Sequence, residues 1–218
     1  MPSRLEDSQT IHRPELLAGQ IAMSMRQRIL AGDWKPGERV VESRLAKELG
    51  VGQPTIREAL VNLESVGLVT RLAVKGCVVT ELTPQQANDL LNLRRELESI
   101  AIGLICKAAS DDELAALKAT AHSLKAAALG EKIEEFRNLD LEFHQSTWKL
   151  CGNEFLPRHL EQVTLPLLAF FSMPGPTMQA SADGHLAMVL KLEQRDLEGA
   201  RLENCALLDR LQKTFLKG

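Results

Sequence analysis

Leu17, Ile21, Met25 and Ile29 stand four apart in ELLAGQIAMSMRQRILA at 15–31, with Leu16 and Leu30 widening the stripe. That spacing predicts an amphipathic helix stopped near Gly32. Pro36-Gly37 marks a turn, and ESRLAKEL at 42–49 predicts a short helix ended by Gly50. After Val51-Gly52-Gln53-Pro54, Ile56, Ala59, Leu60, Leu63 and Val66 fall on one helical face, with Gln53, Arg57 and Glu64 off it. Pro54 stands in the first turn, where its missing N–H is not needed. Beyond Gly67 the texture changes. Residues 68–71 and 77–80 are β-branched runs around Lys75-Gly76, which predicts a two-stranded hairpin. Helix, helix, tight turn, helix and hairpin is the order of a winged helix-turn-helix.

Everything afterwards reads as helix. Thr83-Pro84-Gln85-Gln86 and Ser110-Asp111-Asp112-Glu113 are capping boxes. The predicted helices are 84–109, 111–129, 131–150, 154–171, 183–195 and 196–216. Gly130 and Gly152 punctuate them, and Ser172-Met173-Pro174-Gly175-Pro176 predicts a loop. Long helices with short connections predict a compact antiparallel bundle. The fold class is therefore mainly α: a winged helix-turn-helix at 1–80, then an all-helical domain at 81–218, divided near Glu81-Leu82.

Composition narrows the partners. Apolar and charged fractions of 44% and 25% are those of an ordinary globular chain. No apolar run approaches the roughly 18 residues of a membrane helix. The segment MPSRLEDSQTIHRPE lacks the apolar core of a secretory signal, so the expectation is a cytoplasmic protein without a membrane partner. Cys77, Cys106, Cys151 and Cys205 are scattered, without the spacing of a zinc or disulfide framework. With no tyrosine and 4% aromatics, stacking on unpaired bases is a poor fit. The net charge is −3, but residues 1–80 carry 11 Lys/Arg against 9 Asp/Glu, so the front is mildly basic and the back acidic. That division suits a chain with one end facing phosphate.

A recognition helix must show polar side chains to the major groove while its other face packs. Gln53 and Arg57, one turn apart, are on the exposed face of the third helix with Thr55 beside them. Gln pairs with adenine, and Arg with guanine or phosphate. Ser43, Arg44 and Lys47 on the preceding helix, and Lys75 with Gly76 at the wing tip, are candidates for holding the backbone.

The stretch from Ile29 to Val69 resembles the N-terminal domain of the GntR family of transcription regulators. The resemblance is carried by Pro36-Gly37, Leu45-Ala46, Leu49-Gly50-Val51, Arg57-Glu58-Ala59-Leu60, Gly67-Leu68-Val69 and the glycine-tipped wing at Gly76. Many members have Ser-Arg-Thr-Pro where this chain has Gly52-Gln53-Pro54-Thr55, which implies a different operator sequence. The helical part resembles the FCD-type ligand-binding domain of the FadR-type branch, through Leu93-Arg94, Leu97-Glu98, Asp140-Leu141-Glu142-Phe143-His144, Gly152-Asn153 and His185.

The second resemblance implies a divalent metal (zinc, nickel or manganese) held by Asp140, His144 and His185. In relatives a further histidine completes the site at the position of Leu207 here. A carboxylate and neutral imidazoles suit such ions, and three protein ligands leave positions for water or an effector carboxylate. The alternative is a metal-free pocket in which His144 and His185 hydrogen-bond an anion and Arg94 supplies the counter-charge. The run Leu165–Phe171 reads as core packing or as an apolar wall of that pocket. The expected function is a homodimeric, ligand-responsive regulator, read as a repressor, on double-stranded, pseudo-palindromic DNA, sensing a small organic acid. The competing readings are a constitutive repressor whose helical domain only dimerises, and a metal-dependent enzyme.

Overall fold

The computed structural model describes residues 12–171 and 175–215. The segment before His12, and residues 172–174 of the expected loop, lie outside them. The described residues form nine α-helices and one two-stranded sheet, mainly α as the pattern predicts. The chain divides between Glu81 and Leu82 into two compact units. No helix among the described residues is long and apolar enough to cross a membrane.

The first unit contains α1 (His12–Ala31), α2 (Glu42–Leu49), α3 (Gln53–Ser65), β1 (Val69–Leu72) and β2 (Gly76–Val79). The buried stripe of α1 is Ala18, Ile21, Ala22, Met25 and Ile29, whereas Leu17 is 40% exposed. A strict four-residue step drifts about 40° per step against the 3.6-residue period, so the expected stripe rotates off the core at its N-terminal end. Ile56, Ala59, Leu60 and Leu63 are fully buried against α1. Each such aliphatic side chain contributes about 1.5–3 kcal/mol. Gly50 closes α2 in the left-handed region at φ 65°, its N–H on the Ala46 carbonyl, and so turns the chain into α3.

The hairpin register pairs Val69 with Val79 and Leu72 with Gly76, so each strand sits one residue inward of its expected place. Gly76, at φ 72°, belongs to β2 and not only to the turn. The segment after Pro36 also pairs along β2: Val79 N donates to the Glu38 carbonyl and Val40 N to that of Cys77. That contribution to the wing carried no strand signal, because Pro36-Gly37 read as a turn.

The second unit contains α4 (Pro84–Ala108), α5 (Asp111–Leu129), α6 (Ile133–Leu150), α7 (Leu156–Phe170), α8 (Gly175–Glu193) and α9 (Leu197–Phe215). Both capping boxes form: Thr83 Oγ1 accepts from Gln86 N, and Ser110 Oγ from Glu113 N. α6 and α7 each begin two residues later than expected. For α7 the cause is Asn153, whose Oδ1 accepts the backbone N–H of Phe155 (2.9 Å) and Leu156 (3.0 Å), while Gly152 takes φ 65°.

α8 begins at Gly175, eight residues before the expected start. Its first turns carry small residues with little periodicity, and packing decides them: Met178 and Ala182 are buried with Leu124, Ala127, Ala128 and Phe136. The larger core joins Ile102, Ile105, Phe143, Trp148, Met188 and Val189 from α4, α6 and α8. α4 also packs on α7 and α9, and α8 on α5 and α9. The centre of the bundle is thus bordered by four helices.

Candidate functional site

On the first unit, Ser43, Arg44, Lys47, Gln53, Arg57, Lys75 and Gly76 are all exposed, and Thr55 is half-buried. Gln53 and Arg57 share the outer face of α3 because Ile56, Ala59, Leu60 and Leu63 anchor the opposite one. Arg57 is not idle there. Its Nε donates to Glu42 Oε2 at 2.7 Å, tying α3 to the start of α2, with 59% of the side chain still exposed. An exposed pair of this kind is worth at most about 1 kcal/mol, so phosphate or a base edge can displace it. It also holds the guanidinium in one place on the free protein.

On the second unit, four helices converge. α6 carries Asp140 and His144 one turn apart, and α8 carries His185. All three are buried, and one ligand atom from each lies within 4.8 Å of the others. His185 Nε2 is 3.2 Å from Asp140 Oδ1; the carboxylate can only accept, so the imidazole donates. His144 Nε2 is 3.9 Å from Asp140 Oδ2.

α4 supplies the remaining charges. The Arg94 guanidinium, 2% exposed, donates through Nε to Glu98 Oε1 (2.8 Å) and through Nη2 to His144 Nε2 (3.1 Å). Since a guanidinium has no acceptor, His144 accepts at Nε2 and is neutral. Asn204 on α9 donates through Nδ2 to Glu98 Oε2 at 3.0 Å. Glu98 and Asn204 were not singled out as site residues. The Arg94–Glu98 spacing was a legible signal, being one turn of helix, as was a polar residue at 204 in the buried register Ala200, Asn204, Leu207, Leu208, Leu211.

Arg94, expected as the counter-charge for an anion, is paired here with Glu98 at 2.8 Å. Of the two readings of Leu165–Phe171 the structure takes core packing: Leu167 and Phe171 pack with Ala87, Leu91, Leu208 and Leu211 in a separate cluster. The small cavity beside the three ligands, about 10 Å³, is walled instead by Ala101, Ile102, Phe143, Trp148 and Met188, with Glu98, His144, Thr147, His185 and Asn204 supplying its polar atoms. Leu207 is buried against α8. A side chain at Gly184 would come within 3.3 Å of its Cβ, so Leu207 packs against α8 one residue before His185.

The donor set fits a divalent ion. Two ligands on one tetrahedral zinc stand about 3.4 Å apart, so the Asp140–His185 pair at 3.2 Å is already close enough, while the full set, spread over up to 4.8 Å, must close by about 1.4 Å. The ion and Arg94 would compete for the same lone pair on His144 Nε2.

Burial and charge set the protonation of this cluster. Burial raises the Glu98 carboxyl, but the Arg94 charge, His144 and the hydrogen bonds from Arg94 and Asn204 outweigh it and hold it below its ordinary value. Asp140 is likewise lowered: burial acts upward, and the His185 hydrogen bond, the two neighbouring imidazoles and the Arg94 charge prevail. His144 is pushed down to about 3 by burial and the Arg94 charge, against the pull of Asp140 and Glu98. All three shifts act in one direction. The unfolded chain binds protons that the fold refuses, so stability is full above pH 7 and falls as the pH drops. For His144, the unfolded imidazole gains its proton near pH 6.5, and the difference reaches about 2 kcal/mol by pH 5. We expect the chelator-treated protein to lose thermal stability between pH 7 and 5, and His144→Gln to flatten that slope. Parallel melting curves for the two proteins across this range would contradict it.

Residues 17–79 match the family profile described as "Bacterial regulatory proteins, gntR family", and residues 89–210 the one described as "FCD domain". The chain is 30% identical over 186 residues to an uncharacterized HTH-type transcriptional regulator, YdhC, of Bacillus subtilis (strain 168), covering 85% of this chain and 81% of that one. It is 31% identical over 185 residues to the Nta operon transcriptional regulator of Aminobacter aminovorans, covering 84% and 85%. Among solved structures, E. coli McbR/YncC superimposes with a TM-score of 0.81 at 21% identity, over 92% of this chain and 97% of that one.

Proposed function

This chain belongs to the GntR family of bacterial regulatory proteins, as a transcription regulator with an FCD domain, and we propose that it acts as a homodimeric repressor released by a small organic acid. The family's members matched here are transcription regulators, which sets aside the enzyme reading. Two copies joined through their helical units bring two α3 helices to a pseudo-palindromic site in cytoplasmic double-stranded DNA. Gln53 and Arg57 read base edges, while Ser43, Arg44, Lys75, Gly76 and the Thr55 hydroxyl hold the backbone and fix register. Gln53, standing where many members have arginine, favours adenine.

The observation that carries the sensing half is the buried cluster of Asp140, His144, His185, Arg94 and Glu98. So many ionisable groups sealed at the junction of α4, α6, α8 and α9 exceed what a purely dimerising bundle needs, since buried charges cost stability unless each is paired. Asp140, His144 and His185 would hold a divalent ion of the zinc, nickel or manganese kind. When bound, the ion offers open coordination positions to an effector carboxylate. Glu98 stands behind His144 on its Nδ1 side, 4.0 Å away, while Arg94 must give up Nε2 for the ion to bind there.

The test uses a DNA site selected from a random pool by the full-length protein. Operator affinity is followed by gel shift while zinc chloride and a panel of simple acids (acetate, malonate, citrate) are titrated. At least one addition is expected to change affinity by about 5- to 150-fold. No change with any of them would favour a constitutive repressor. Calorimetry of zinc binding gives an independent arm: Leu207→His should tighten binding about tenfold or more by supplying a fourth ligand. Equal zinc affinity in both proteins would remove the metal from the proposal.

A further inference from the structure

Trp148 sits one turn beyond His144 on α6, is 3% exposed, and stacks on the His144 ring with centroids 5.9 Å apart and an interplanar angle of 18°. Its indole N–H is buried, and no acceptor among the described residues reaches it. Buried N–H groups are nearly always paired, and an orphan costs the fold a lost hydrogen bond. We infer that Trp148 Nε1–H is the donor that holds an oxygen of the effector, a carboxylate or carbonyl oxygen of a small organic acid. This assignment rests on the reading of the helical unit as a sensor.

The polar groups around the cavity leave this donor as the one to be answered. Thr147 Oγ1 donates to the Phe143 carbonyl at 2.8 Å, Asn204 Nδ2 to Glu98, Arg94 to Glu98 and His144, and His185 to Asp140. Among the described residues that line the cavity, Trp148 is the one with a buried side-chain N–H left over. An acceptor is therefore the missing partner. Neighbouring carboxylates are not that partner, since no oxygen of Asp140 or Glu98 lies within hydrogen-bond distance of Nε1.

Size then sets the consequence. A volume of about 10 Å³ holds little more than a single water-sized group. One oxygen fits; an acid with a hydrocarbon part must press on Ala101 and Ile102 of α4, Phe143 of α6 and Met188 of α8. Occupancy is then tied to the spacing of those helices, and Trp148 reports it from inside.

The experiment uses the full-length protein with Trp34→Phe, so that Trp148 is the single remaining tryptophan emitter, and compares it with the same protein carrying Trp148→Phe. Crystals soaked in sodium acetate with zinc chloride locate the acid, and calorimetry measures acetate and zinc separately. The expected result is an acetate oxygen within hydrogen-bond distance of Nε1, a change of indole emission on acetate addition, and about tenfold weaker acetate binding after Trp148→Phe. Zinc affinity should be unchanged, because Trp148 supplies no metal ligand; the phenyl ring is smaller than the indole, so the melting temperature falls with the lost packing. Acetate in the cavity with Nε1 bare or on water, or acetate binding unaffected by Trp148→Phe, overturns this assignment and leaves the sensor reading standing. A cavity holding water only, with no emission response to acetate, overturns both.

Discussion

Arg57→Ala is expected to weaken operator binding by on the order of a hundredfold or more, with the fold unchanged. A well-placed arginine on guanine or phosphate contributes about 1–3 kcal/mol, and a symmetric dimer loses it twice. The fold is spared because the side chain is 59% exposed and its pair with Glu42 is a surface pair. The same pair offers an internal control. Glu42→Gln frees the guanidinium without removing it and should leave affinity within a few-fold of the parent. Arg57→Lys keeps the charge but not the planar fork, so it should retain non-specific, salt-dependent binding and lose discrimination between sites. Gel shifts at one fixed salt concentration, on the selected site and on a scrambled one, check all three. Arg57→Ala bound as tightly as the parent would remove α3 as the reading helix.

Glu98→Ala should lower the melting temperature of the helical unit by about 6–20 °C. The Arg94 guanidinium is 2% exposed and its Nε rests on Glu98 Oε1 at 2.8 Å. Removing the carboxylate strands a buried charge and also deprives Asn204 of its acceptor. Breaking a buried pair from one side costs about 3–5 kcal/mol, and a chain of this size loses roughly 2–4 °C per kcal/mol. Replacing both partners separates charge from packing. Arg94→Met with Glu98→Leu removes both charges at similar volume and should recover much of the loss, although His144 then loses the donor at Nε2. Differential scanning calorimetry decides. A drop of only 1 or 2 °C for Glu98→Ala would mean that water reaches Arg94 and that the cluster is less sealed than its burial indicates.

Much of the fold was legible because the signals are local. Thr83-Pro84-Gln85-Gln86 and Ser110–Glu113 specify helix starts through hydrogen bonds closed within four residues, and both form as read. The face of α3 was legible for the same reason, since Ile56, Ala59, Leu60 and Leu63 carry its period alone. The start of α8 was not. Gly175-Pro176 reads as a break, and Met178 with Ala182 is helical because Phe136 and α5 provide a surface to pack on. Leu17 is a similar case, apolar yet rotated off the core.

The site divides the same way. Asp140 and His144 at one-turn spacing and Arg94 with Glu98 at the same spacing are properties of the chain itself, fixed by the pitch of a helix and the reach of four side chains. What a linear text cannot contain is which helices meet. His185 reaches Asp140 across 45 positions and Asn204 reaches Glu98 across 106, and only close packing of α4, α6, α8 and α9 sets those pairs, the neutral state of His144 and the unanswered N–H of Trp148. Periodicity encodes which face of a helix turns inward; the partner it finds there is chosen by the packing of all the faces at once.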